Sequence, residues 1–394
     1  MRRAIFTLLL LHAAAATAAV VISDEVVSAP ISGRRLTLPF AAPAVSMAKD
    51  RTGVAIAWAM PDAASIARVY VARLDSAGHV AGAVREIAAT VPEIDAVAPS
   101  IAVSPSGSGF TLAWMEISTA VYCQLDAALT PSAPVVLGRT ETAPLVRSGS
   151  SSNNVWIAEG GLVWAIAPDG RREALAGISA SDMAVGTDVP QLIGARSVKT
   201  FVSCTCGLPH LAGCPAECMV YDNSYAIDYV AIYTASQSRG FPFVSDAQPA
   251  IASNAHDLAM AWFEGPQATG GNLMAARVPL TALPQLLLTP PLTLGSFPPD
   301  SGATRPAIAS DGERFIAVWR VQRLPGDHDI VGAVIETDGS VTPLTIAASA
   351  ADERDPSIIA LGRGAFLVAY EKVDGGERRI AGRFVTFGRA RASR

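Results

Sequence analysis

Apolar residues fall along this chain in short runs, rich in Val, Ile and Ala and bounded by Gly, Asp, Ser or Pro. The clearest stretch lies between Thr304 and Ala348. Pro306-Ala-Ile-Ala-Ser310 is followed by the turn Asp311-Gly312 and the run Phe315-Ile-Ala-Val-Trp319. A loop, the run Ile330 to Ile335, the turn Asp338-Gly339 and a last run Val341 to Ile346 complete it. Short β-branched runs separated by such turns predict antiparallel strands joined by hairpins, here four in succession.

The unit recurs. A proline followed by a short apolar run stands at Pro43, Pro99, Pro144, Pro190, Pro249, Pro306 and Pro356, with spacings of 56, 45, 46, 59, 57 and 50 residues. An aromatic closes the second run in six of the seven copies: Trp58, Trp114, Trp156, Trp262, Trp319 and Tyr370, at 15, 15, 12, 13, 13 and 14 residues from the proline. A period in this range with four short strands per unit predicts a β-propeller. The proline suits the first position of a strand, where its missing N–H costs no ladder bond. The aromatic suits the widening gap between neighbouring sheets, and Ala, Ser and Ile suit the crowded axis. The expectation is an all-β, seven-bladed propeller occupying residues 19–387 as one domain. A tandem of two β-sandwiches is disfavoured, because the period does not break near the middle.

The last unit ends at Ile380-Ala-Gly-Arg-Phe-Val385 without a fourth strand. Arg35-Leu36-Thr37-Leu38 is expected to supply it, closing the ring and removing exposed sheet edges. Units three and four are irregular. In the third, Asn154-Val-Trp156-Ile157 almost abuts Leu162 to Ile166. In the fourth, Lys199 to Ser203 is a weak second strand, and a long insert precedes Asp228 to Tyr233. Six blades is the alternative should either unit fail.

The insert, 204–218, holds Cys204, Cys206, Cys214 and Cys218 around His210. Four thiols and an imidazole at short spacing suit zinc in a reducing compartment. The N-terminus argues for an oxidising one. Met1-Arg2-Arg3, the apolar core Ile5 to Leu11 and the small residues around Ala16-Thr17-Ala18 form the three parts of a secretory signal, cleaved after Ala18. A secreted or periplasmic chain is therefore expected, with two disulfides whose pairing is open and no bound metal. Cys123 is expected to be a buried small hydrophobe. The apolar core is too short for a membrane span, and no later segment reaches that length.

Composition narrows the partners. Half of the residues are hydrophobic, 16% are charged and 6% aromatic. A formal charge of -5 argues against a nucleic-acid partner, which normally requires a basic face. The basic tail, 388–394, reads as a solvated end. Among the histidines, His12 lies in the signal, His79 at a turn and His256 just before a strand. No serine-hydrolase elbow, zinc-protease helix, phosphate loop or dinucleotide fingerprint occurs.

In a propeller the tight first-to-second and third-to-fourth turns share one face, and the longer loops share the other, where function concentrates. Sorting polar residues by face gathers one cluster for ligand binding: Arg320, Arg323, Asp327, His328 and Asp329, then Asp352, Glu353, Arg354 and Asp355, then Glu371. Asp327-His328-Asp329 offers oxygen and imidazole ligands to a cation, and Arg320 or Arg354 offers a grip on a carboxylate. A solvated rim of ion pairs is the plainer reading of the same residues.

Pro306 to Trp319, followed by Asp329-Ile-Val-Gly-Ala-Val-Ile335, resembles the repeats of exported bacterial β-propeller proteins. The resemblance spans nearly the whole mature chain and implies fold rather than activity. The Trp-Asp pair of WD40 blades, the paired glycines of kelch and the Ser-x-Asp-x-Gly-x-x-Trp box of sialidases are not met. The functional expectation is a monomeric, cofactor-free, non-catalytic module binding a protein or glycan on the long-loop face. The alternative is a glycan hydrolase or lyase using carboxylates near Asp327, Asp329, Asp352 and Glu371.

Overall fold

The computed structural model of the protein describes residues 20–31, 45–104, 106–140, 142–148, 154–176, 180, 182–185, 190–204, 219–231, 249–265, 270–280, 291–297 and 305–388. The signal, Arg35 to Leu38, Pro43, Cys206, His210, Cys214, Cys218 and residues 389–394 lie outside them, and of Cys204 only the backbone is described. Among the described residues there is no helix long and apolar enough to cross a membrane, and every named element is a strand.

In chain order, β1 (Val20–Ile22) and β2 (Val26–Ile31) precede a sheet of β3 (Val45–Lys49), β4 (Val54–Pro61), β5 (Ala67–Leu74) and β6 (Val80–Ile87). The next holds β7 (Ala96–Val103), β8 (Phe110–Glu116), β9 (Thr119–Leu125) and β10 (Val135–Arg139). Then come β11 (Leu145–Ser148), β12 (Val155–Glu159), β13 (Leu162–Ile166) and β14 (Arg172–Ala176), and the three-stranded sheet of β15 (Asp182–Val185), β16 (Pro190–Cys204) and β17 (Met219–Ala231). Two further sheets hold β18 (Ala250–Ser253), β19 (Asp257–Glu264), β20 (Gly271–Pro279) and β21 (Leu292–Phe297), then β22 (Ala307–Ser310), β23 (Phe315–Leu324), β24 (Asp327–Ile335) and β25 (Val341–Ala347). The last is built on β26 (Asp352–Gly362), β27 (Ala365–Asp374) and β28 (Glu377–Phe387), and β1 and β2 pair with β28.

Hairpins within each sheet follow from turn chemistry. Asp50 Oδ1 accepts the backbone N–H groups of Thr52 and Gly53 at 2.8 and 3.0 Å. Asp311 Oδ1 accepts those of Glu313 and Arg314, both at 2.9 Å. Asn254 does the same for His256 and Asp257. A side-chain acceptor that satisfies the turn's own backbone makes the reversal local and cheap.

The first strands touch in order: β3 lies against β7, β7 against β11, β11 against β15, β15 against β18, β18 against β22, β22 against β26, and β26 against β3. The cycle closes on itself. Apolar clusters fill the gaps between successive sheets all the way round. Trp114 and Phe110 pack with Val69 and Ile87 of the preceding sheet, Trp262 and Met260 with Ala184, and Trp319 and Phe315 with Phe263 and Phe297. Tyr370 packs with Val318 and Ile330, and Trp58 with Leu367 and Ala369 across the junction of the last sheet and the sheet of β3. Trp319 lies over Gly295, where an added Cβ would come within 2.8 Å of the indole.

Cation and carboxylate pairs lock neighbouring sheets at the tight-turn end. Arg73 on β5 pairs with Asp50 at 2.8 Å and lies over the Phe110 ring of the next sheet. Arg277 on β20 repeats the device with Asp257 at 2.5 Å and the Phe315 ring. The stacked guanidinium keeps its charge paired while its flat face covers the aromatic.

Two expectations are corrected. Pro190 opens the second strand of its sheet rather than the first; the inner strand is β15, whose apolar Asp182-Met-Ala-Val185 carries no leading proline, so the repeat mark was read one strand late. The outer edge of β28 is occupied by β1 and β2, from Val20 opposite Phe387 to Ile31 opposite Arg378, where Arg35 to Leu38 had been expected. Trp156, set 12 residues from its proline, fills the gap toward the following sheet with Met183 and Leu192, and its neighbour Ile157 faces Ala113 of the preceding sheet. One residue of register exchanges the faces of a strand.

Candidate functional site

The first strands enclose a central channel of about 470 Å³. Each is an edge strand, so its outward N–H and C=O groups face this space and need partners. Side chains of the neighbouring first strand supply some of them. Ser46 Oγ accepts from Ile101 N at 3.1 Å, Ser100 Oγ from Val146 N at 2.9 Å, and Asp182 Oδ2 from Ile251 N at 3.0 Å. In each case the donating residue is the second after the marked proline.

Asp182 is the exception to an otherwise neutral set, and it gathers charge. Its Oδ1 accepts Arg147 Nη2 at 2.9 Å and Met183 N at 2.9 Å, and pairs with Arg305 Nη2 at 2.5 Å. Arg147 projects from β11, and Arg305 stands just before the marked Pro306. Both line the channel. Burial, with the Arg305 cation adding to it against Asp182, pulls the Arg147 guanidinium below its ordinary value. None of the three was singled out from sequence. The available signal was small: Pro144-Leu-Val-Arg147 puts an arginine where the other copies carry Ala, Ser or Ile.

Asp355 also lines the channel and ties it to the cluster expected from sequence. It is 3.6 Å from Arg320 on β23. Asp355 holds φ at 47° directly before Pro356, as Ala98 holds 53° before Pro99. In both strands the ladder skips here, between Arg354 and Ser357 and between Val97 and Ser100. The bulge lets β26 begin before the marked proline, so Asp352, Glu353 and Arg354 stay in the sheet above the channel mouth.

Of the predicted cluster, His328, Asp352 and Arg354 form one linked group, beside the Arg320–Asp355 pair. His328 Nδ1 meets Asp352 Oδ1 at 2.8 Å, and Asp352 Oδ2 pairs with Arg354. Burial alone would raise Asp352, but hydrogen bonds from Arg354 and His328 outweigh it and hold the carboxyl below the usual range. Burial lowers His328 in spite of that carboxylate. Arg323 and Asp327 pair with each other at 2.7 Å, and Arg323 also donates to Ser349 O at 2.8 Å. Glu371 stands opposite Arg354 in the ladder and accepts Arg378 Nε at 2.7 Å.

Asp327-His328-Asp329 does not converge on a cation. The three residues begin strand β24 rather than a loop, so consecutive side chains leave opposite faces. His328 turns to β26, whereas Asp329 lines a second cavity, of about 560 Å³, with Trp319 and Arg323. Burial raises the Asp329 carboxyl. Among the described residues no group of three or more His, Cys, Asp or Glu side chains is placed to hold a metal.

No protein-family model matches the chain, and no curated protein matches it. Solved structures similar to it include that of streptogramin B lyase, with a TM-score of 0.47, 11% identity, and coverage of 92% of this chain and 98% of that one. TolB from Acinetobacter baumannii gives 0.40 at 13% identity over 78% of this chain and 67% of that one. The GH62 α-L-arabinofuranosidase catalytic domain of Coprinopsis cinerea gives 0.38 at 10% identity over 92% and 96%. These neighbours are β-propeller proteins, and at such identities none of them assigns an activity here.

Proposed function

We propose that the chain is an exported, monomeric, seven-bladed β-propeller that binds a protein ligand on its long-loop face, at the mouth of the central channel. Residues 19–387 form the single domain, following a signal over residues 1–18. The seventh blade is completed by β1 and β2, so that both ends of the chain share one sheet. The insert of 204–218 is stapled by its cysteines, and the tail after Phe387 plays no part in the ring.

The observation that carries this reading is the closed cycle of first strands around a channel lined by Lys49, Arg147, Asp182, Arg305 and Asp355, of which Asp182, Arg305 and Asp355 stand near the starts of those strands. A rigid ring with a polar opening presents a ligand surface at little conformational cost. Binding is favoured over acid–base chemistry because the carboxylates of the cluster are engaged: Asp352 by His328 and Arg354, Asp327 by Arg323, and Glu371 by Arg378. The hydrolase or lyase reading draws on Asp329 and Glu353, both raised by burial. They sit away from the channel lining, which weakens it.

The test is to probe peptide and oligosaccharide arrays with the mature chain, then map hydrogen exchange with and without any binder. Protection at the starts of β11, β15, β22 and β26 supports the reading. Protection confined to the tight-turn face contradicts it, and turnover of the binder by mass spectrometry replaces it with the enzyme.

A further inference from the structure

Around Asp182 the charge does not balance locally, and Asp355, the other carboxylate of the channel lining, pairs with Arg320. Arg147 and Arg305 converge on Asp182, and among the described residues Asp182 is the one carboxylate paired with either. Four donors already converge on that carboxylate. Its two oxygens take both arginines and the backbone N–H groups of Met183 and Ile251, and a carboxylate offers about four acceptor sites. The arginines are not saturated, because each guanidinium carries five donors in a planar fork. Arg147 keeps 35% of its side-chain surface exposed, and it lines the channel. Two cations held against one carboxylate, in a space walled by protein, favour a second anion more strongly than they would in open water.

The channel wall selects among anions. Apart from its charged residues, its lining is Ala, Ser, Thr, Ile, Leu, Val, Met and Pro, and among the described residues no aromatic side chain lines it. A sugar ring would find no flat apolar face to stack on. An extended chain would find the free edges of the first strands, which offer N–H and C=O groups for strand-like pairing. We propose that the channel mouth receives the C-terminal carboxylate of an extended peptide, with Arg147 and Arg305 as its receiving groups. The proposal rests on the long-loop face being the ligand face, and it adds the chemistry of the ligand's end group.

The experiment is calorimetric titration of the mature chain with acetyl-tetra-alanine as the free acid, its C-terminal amide, and a triglucuronate. The free acid is expected to bind, with the amide weaker by at least about tenfold, a difference that follows from losing a charge-assisted pair. Arg147→Gln is expected to weaken the acid by a similar factor and Arg147→Lys by less, with unfolding midpoints unchanged. Binding of the acid should also weaken as salt rises, a readout that needs no variant. Equal affinity for acid and amide, no binding of the acid, an undiminished Arg147→Gln variant, or tighter binding of triglucuronate each overturns the peptide-carboxylate proposal. Hydrogen exchange on whichever complex forms then separates the two ideas. Protection at the channel mouth keeps the long-loop reading while the carboxylate proposal falls, and protection elsewhere removes both.

Discussion

His328 Nδ1 lies 2.8 Å from Asp352 Oδ1, a contact that joins the third strand of one sheet to the first strand of the next. It is one of several polar links that hold neighbouring sheets in register above the channel.

His328 is held neutral by burial, so its value in the fold lies below that of the unfolded chain, about 6.5. Below that pH the unfolded chain takes up a proton that the folded chain resists, and stability is lost as pH falls. Asp352, also depressed in the fold, works in the same direction through the carboxylate range. The unfolding midpoint should therefore drop as pH is lowered from 7.5 to 5. In His328→Asn the slope between pH 7 and 5.5 should flatten, because the amide cannot take up the proton. An unchanged slope in that variant assigns the pH dependence elsewhere.

Trp319 and Gly295 form a complementary pair between adjacent sheets, with the glycine making room for the indole. Trp319→Ala should cost about 3–5 kcal/mol in denaturant unfolding, the range for removing a large buried aromatic. Gly295→Ala should cost about 1–3 kcal/mol by overpacking. In the double variant the glycine substitution should cost much less, since the contact it violates is gone. Additive losses would show that the two residues do not meet.

Glu25 links the N-terminal segment to the last sheet. It pairs with Lys372 at 2.8 Å and accepts the Tyr370 hydroxyl at 2.9 Å. Burial opposes its charge, but the Lys372 and Tyr370 bonds prevail and lower the carboxyl. Its contribution is thus present above the ordinary carboxylate range and lost as pH falls through it. Glu25→Ala should destabilise by on the order of 2–3 kcal/mol at pH 7, somewhat below the cost of breaking a fully buried pair. The deficit relative to the native chain should shrink toward pH 3.

Cys123 is buried in the third strand of its sheet, and burial pushes its thiol up to about 12. Iodoacetamide at pH 8 should leave this residue unmodified in the folded chain and alkylate it once the chain is unfolded, as read by peptide mass spectrometry. Rapid labelling of the folded chain would contradict the packing described between β9 and the preceding sheet.

Much of the fold was legible because it is repetitive. Pro99, Pro144, Pro249, Pro306 and Pro356 stand at or just before ladder pairing in first strands, and all six marked aromatics lie on second strands, since both placements answer to local rules of strand edges and wedge filling. Pro190 misled because a proline is equally tolerated at the start of a second strand. Trp156 fills a gap between sheets as the others do, but on the opposite face of its sheet, a choice the sequence leaves open because both faces are buried. The site was less legible. Asp327, His328 and Asp329 are adjacent in sequence, but strand geometry sends them to different spaces. Arg147, Asp182 and Arg305 lie far apart in sequence, and only closure of the ring brings them to one opening.

Ring closure by the chain's own ends is the claim on which channel, mouth and ligand face all depend, and a cross-link tests it most directly. Val21 and Thr386 are register partners in β1 and β28, and antiparallel partners lie about 4.5–5.5 Å apart at Cα, within disulfide reach. Val21→Cys combined with Thr386→Cys should oxidise in the folded chain to a disulfide joining the two terminal peptides, identified by mass spectrometry. A control pairing Val21→Cys with Val136→Cys, an exposed position on β10 in another sheet, should not cross-link. Failure of the first pair to join under conditions that leave the chain folded, or equal joining of the control, would contradict the closed ring.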